Sequence, residues 1–132
     1  MKNRIDDGDF TFDSLYSRIV LPLFSYISTF DKRNGNKHYD LSLALKSGFA
    51  LFALKAPSLF SFQKRSEAEQ ANLFSIFKIE KQLSDNGIRT ILDKVDSNLL
   101  RTGFHSLIRY LDERNILSSY KVLEKYLIVS ID

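Results

Sequence analysis

Between Asp40 and Pro57 the apolar residues Leu41, Leu43, Ala44, Leu45, Phe49, Ala50, Leu51, Phe52 and Leu54 crowd almost every side of a helical projection. A helix with no polar face has no stable place at a surface, so this one, running to about Leu54, belongs at the centre of a core. Asp40 stands where an N-cap is needed. Pro57 ends the helix, because its ring drives Ala56 out of the helical region. Only five Gly and two Pro occur in 132 residues, too few turn residues for a many-stranded sandwich or barrel. The expected fold is therefore mainly α: a bundle of about five helices followed by one C-terminal β-strand.

The other helices come from spacing. Phe12, Leu15, Ile19, Leu23, Ile27 and Phe30 recur every three or four positions, with Pro22 inside the stripe, which predicts a kink or two shorter segments. Asp31 to Tyr39, with Asn34-Gly35-Asn36 among charges, reads as an exposed loop. Ser66 with Glu69 three residues on has the form of a capping box opening a third helix, with Ala71, Phe74 and Phe77 on its buried face. Ser84 is placed to cap a fourth helix carrying Ile88, Ile91, Leu92 and Val95. Asp96 or Ser97 is placed to cap a fifth carrying Leu100, Phe104, Leu107, Ile108 and Leu111. The core expected from these stripes contains Leu45, Phe49, Phe52, Phe74, Ile91, Leu92, Phe104 and Leu107. Tyr126 to Ile131 is β-branched and aromatic, the pattern of a strand buried on both faces, and needs a pairing partner.

Zero Cys exclude a disulfide framework, a thiolate metal site and a cysteine nucleophile, and two His exclude a His-rich metal site. The acidic start, with Asp6, Asp7 and Asp9, is the reverse of a signal peptide, and the longest nearly uncharged stretch, Ser47 to Leu54, is far short of a membrane span. These features predict a cytoplasmic chain with no membrane partner and no small-molecule substrate. The net charge of +3 is local. Residues 1–40 carry six Lys/Arg against six Asp/Glu and residues 84–132 carry seven against seven, while 41–83 carry six against three. The six are Lys46, Lys55, Lys64, Arg65, Lys78 and Lys81, and they are the candidate phosphate contacts, with Arg89 and Arg101 as additions. Lys64 and Arg65, just before the helix start expected at Ser66, are the favoured pair, since helix N-termini attract phosphate. Glu67 and Glu69 in that first turn work against it, and the alternative is an ordinary capped helix on the surface.

Chemistry-bearing clusters are sparse. His38 lies in a polar loop next to Lys37 and His105 on a helix beside Phe104, both reading as surface or half-buried structural residues, and the five scattered glycines form no phosphate loop. Asp132 is different, because a carboxylate directly after a buried strand lies where open sheets place catalytic groups and is suited to Mg²⁺.

Four segments carry a family likeness. The run Ser47-Gly48-Phe49-Ala50-Leu51-Phe52-Ala53-Leu54-Lys55-Ala56-Pro57-Ser58-Leu59 resembles the opening of bacterial insertion-sequence transposases of the DDE, RNase H-like class. So do Asn72-Leu73-Phe74 with Phe77-Lys78-Ile79, and Ser84-Asp85-Asn86 leading to Arg89-Thr90-Ile91-Leu92-Asp93-Lys94-Val95. The ending Tyr126 to Asp132 is similar to the family's first catalytic strand, so the likeness covers roughly residues 40 to 132.

The resemblance implies a helical N-terminal domain, residues 1–117, that engages the element's terminal DNA, and the start of a truncated RNase H-like catalytic domain, residues 118–132. It implies that Asp132 is the first of three carboxylates holding two Mg²⁺ ions, the other two lying beyond residue 132. One Asp cannot clamp two ions, so a chain of this extent is expected to be inactive by itself, with no cofactor of its own. Its expected role is DNA binding. The alternatives are a helical interaction module, pairing with itself or with a full-length transposase, and a transposase relic without function.

Overall fold

The computed structural model describes residues 10–35, 38–123 and 125–127, and helices carry that fold. The chain enters through a continuous helical rod made of α1 (Phe12–Leu15), a π-helical turn (Tyr16–Val20) and α2 (Leu21–Ser28). Thr11 caps it, its Oγ1 accepting from the Ser14 N–H at 3.1 Å. Pro22 stands in the first turn of α2 and has no N–H to donate. The turn before it widens instead of breaking, and the Leu21 N–H reaches five residues back to the Tyr16 carbonyl. The kink or break expected at Pro22 is thus a change of register inside one rod. Tyr16, Phe24 and Ile27 are its buried face.

The loop after α2 is less exposed than its composition predicts. The Asp31 carboxylate takes two bonds from Arg33 Nε, at 3.0 and 3.1 Å, and one from an Arg33 terminal nitrogen at 2.7 Å. That same nitrogen donates to the Tyr39 carbonyl at 2.9 Å, closing the loop onto the start of the next helix. The two side chains are only 10% (Asp31) and 14% (Arg33) exposed. The bond to Asp31 holds the Arg33 guanidinium above even its usual range. Asp31→Ala leaves that cation half-sequestered beside fewer acceptors, and is expected to cost about 2 kcal/mol, between surface and buried ion pairs. Urea denaturation of the variant measures this, and a midpoint equal to wild type would contradict it.

The apolar stretch forms α3 (Leu41–Ala53), preceded by Asp40 in extended conformation, and it is central as expected. Leu41, Leu43, Ala44, Leu45, Ala50 and Leu51 are buried, while Phe49 is half-buried against the same core. The buried Ser47 hydroxyl donates to the Leu43 carbonyl at 2.9 Å, so no polar atom is stranded there. Beside it α3 crosses α6 (Asp85–Leu92), and a β-carbon at Gly48 would lie 3.0 Å from Leu92 Cδ1. Ser84 caps α6 as expected, accepting from the Gly87 N–H, and Ile88 and Ile91 are buried.

Between these helices the chain departs from the expected pattern. A helix, α4 (Leu59–Ala68), starts directly after Pro57, with Ser58 as its cap accepting from the Ser61 N–H. Ser66 is therefore not a cap. It sits buried inside α4, its hydroxyl donating back to the Phe62 carbonyl at 2.7 Å, as serines within helices do. The chain breaks at Glu69 and continues as α5 (Gln70–Phe77), which buries Leu73 and Phe77 and leaves Ala71 and Phe74 exposed. Lys78 ends α5 in the left-handed region at φ 57°.

Asp96 caps a short 3₁₀ turn, Ser97–Leu100, that runs into α7 (Arg101–Glu113). After a second 3₁₀ turn, β1 (Lys121–Val122) pairs antiparallel with β2 (Tyr126–Leu127). The strand foreseen from the β-branched run is therefore present at its first two residues, but its partner precedes it and Tyr126 is 60% exposed. Residues 128–132, with Asp132, lie outside the described residues. Three residues expected in the core are on the surface: Phe52 is 80% exposed, Phe104 64% and Phe74 55%.

Candidate nucleic-acid interface and an apolar groove

The six cations of the middle segment divide into two groups. Lys46 extends from α3 to donate to the Lys78 carbonyl at 3.1 Å, and Lys78 turns back to the Ser75 carbonyl at 2.7 Å. Both are half-buried: Lys46 ties α3 to the end of α5, and Lys78 closes on the last turn of its own helix. Lys55, Lys64, Arg65 and Lys81 are exposed. Lys64 and Arg65 lie within α4 and not before a helix start, so no helix terminus reinforces phosphate binding there. Lys64 lies 3.9 Å from Glu67 and over the Phe60 ring, and Arg65 lies 3.2 Å from Glu69. Ion pairs this exposed hold their partners weakly, so a phosphate can compete for both cations. Lys55 follows α3 with φ 52°, and Lys81 lies on the connection between α5 and α6. Arg89 and Arg101 are exposed on α6 and α7.

A second feature was not foreseen. Tyr16, Phe49 and Phe77 gather with Phe12 into an aromatic cluster with centroid separations of 5.4 to 6.3 Å, Phe12 stacked on Tyr16 and Phe77 edge-on to the other three. The buried Tyr16 hydroxyl donates to the Phe77 carbonyl at 2.7 Å, satisfying a group that the end of α5 would otherwise leave open. Burial of the phenol pushes its pKa from 10.0 up to about 12. On the outer side of this cluster, between the rod and α7, runs a groove of about 400 Å³ with no polar atom in its lining. Ile19 and Leu23 line one wall, and Leu100, Phe104 and Leu107 the other. The signal was present in the α7 stripe, but a stripe states only that a face is to be covered, not by what.

His38 and His105 are both exposed, His38 edge-on to Tyr39. Among the described residues, no three His, Asp or Glu side chains gather where a metal ion could be held, and no helix is long and apolar enough to cross a membrane. Asp132, the expected first metal ligand, lies outside those residues.

Among the described residues these features define a helical bundle with scattered exposed cations and an apolar groove. No family model, curated protein or solved structure matches the chain.

Proposed function

We propose that this chain is the helical front portion of a DDE-class transposase, contributing DNA binding at element ends and not catalytic alone. The supporting observation is where the residues of the resemblance lie. Ser47 to Leu59 is α3 and its exit, Asn72 to Ile79 is α5 and its turn, and Ser84 to Val95 is α6 and its exit. The helix of the first stretch meets both others: Gly48 lies against Leu92 of the third, and Lys46, one residue before the first, reaches the Lys78 carbonyl of the second. Residues that resemble one family thus form one structural unit.

DNA contact in this reading falls to the four exposed cations, Lys55, Lys64, Arg65 and Lys81. Four phosphates neutralised on a duplex give a slope of about −3.6 in log K against log salt, from counterion release. Replacing Lys64 and Arg65 with Ala flattens it by about two units and leaves the circular dichroism unchanged. Undetectable affinity for duplex at low salt overturns the DNA reading. The groove favours a second reading, an interaction module, whose binding is weakly sensitive to salt.

A further inference from the structure

The rod and α7 run antiparallel, Phe10 meeting Tyr110 at one end and Gly103 meeting Leu23 at the other. At Gly103 a β-carbon would collide with the Leu23 side chain, so the rod lays that side chain directly on the α7 backbone, beside the groove. Next to it α7 turns Phe104 and Ile108 to solvent, 64% and 54% exposed, one turn apart on a single face. Two large apolar side chains beside an entirely apolar groove make a patch of the kind that marks an interaction surface.

The charges flanking that face identify its occupant. Arg101 and Asp112 are eleven residues apart, close to three whole turns, so they lie on the same flank of α7 at opposite ends. Both are exposed, and Arg101 has no ion pair among the described residues. Asp112 is 3.4 Å from Lys121 and still 60% exposed, open to a second cation. A basic group at one end and an acidic group at the other make the face self-complementary under a two-fold axis, in which residue i meets j and j meets i.

We propose that a second copy of this chain covers the groove, the two α7 helices lying antiparallel about an axis between Phe104 and Ile108. Phe104 then packs on the partner's Ile108, and Arg101 stands within about one residue's rise of the partner's Asp112. The two rods and two α7 helices form a four-helix layer around an apolar centre. This association is independent of DNA, since none of the four cations proposed to contact phosphate lies on α7 or the rod.

Sedimentation of the wild-type chain at micromolar concentration tests it, with a dimer expected. Phe104→Asp, at a site exposed in the single chain, yields monomer whose far-ultraviolet circular dichroism is that of wild type, and it melts as wild type does once wild type is diluted to monomer. Arg101→Asp raises the dimer dissociation constant at least about tenfold by setting like charges together, and adding Asp112→Arg to it restores the dimer. A wild-type chain monomeric to 100 micromolar overturns the proposal and leaves the groove to a helix of another protein. A Phe104→Asp chain that remains dimeric, or a charge-swapped double variant no tighter than Arg101→Asp, overturns the pairing.

Discussion

Phe77→Ala is expected to destabilise the fold by about 3–5 kcal/mol, whereas Phe104→Ala costs the single chain roughly 0.5 kcal/mol or less. The contrast comes from surroundings, since both residues are phenylalanines on amphipathic helices. Phe77 is 3% exposed and meets Phe12, Tyr16 and Phe49 at ring separations of 5.6 to 6.3 Å, so its loss opens a cavity where rod, α3 and α5 converge. Phe104 stands largely in solvent and leaves no cavity. Denaturant titrations at a concentration where the chain is monomeric separate the two. Equal losses would place Phe104 back in the core and contradict this fold.

The second large effect is alkaline. Tyr16 has a folded pKa of about 12 against 10.0 when unfolded, because burial disfavours the phenolate. Below pH 10 both states hold the proton and Tyr16 adds no pH dependence. Between about pH 10 and 12 the unfolded chain releases it and the folded chain does not, so stability falls with rising pH. A two-unit difference at about 1.4 kcal/mol per unit gives a loss of about 3 kcal/mol. Tyr16→Phe removes this loss. At neutral pH it costs about 1 kcal/mol, the worth of the bond to the Phe77 carbonyl. Comparing the two proteins cancels the lysines, which titrate in the same range. Identical decline of both from pH 9.5 to 11.5 would contradict the buried Tyr16 phenol.

Much of the helical frame was legible from spacing and punctuation. Asp40, Ser84 and Asp96 stand at helix starts, and Pro57 separates α3 from α4. The features that escaped have identifiable physical causes. The Ser66-Glu67-Ala68-Glu69 pattern has the form of a capping box, but a helix begun at Ser58 was already running through it. Helix α5 is eight residues long, too short for periodicity to choose between a Phe74–Phe77 face and the Leu73–Phe77 face it buries. An all-apolar helix such as α3 has no preferred phase, so nothing in the sequence marked Phe52 as its exposed end. Local pattern gave no sign that Lys46 would reach the Lys78 carbonyl, thirty-two residues away. A count of charges does not sort the DNA candidates; packing alone divides the exposed Lys55, Lys64, Arg65 and Lys81 from the half-buried Lys46 and Lys78, whose ammonium groups are bonded to backbone carbonyls.

The proposed function separates two surfaces by their physics: cations that meet phosphate and an apolar face that meets another copy. Sedimentation velocity of the chain mixed with a fluorescent duplex, run at low and at high salt, tests this most directly. Label is expected to co-sediment with a protein dimer at low salt, and raising the salt is expected to free the duplex while the dimer persists. Label that never co-sediments with protein, at any salt, would contradict the proposed function.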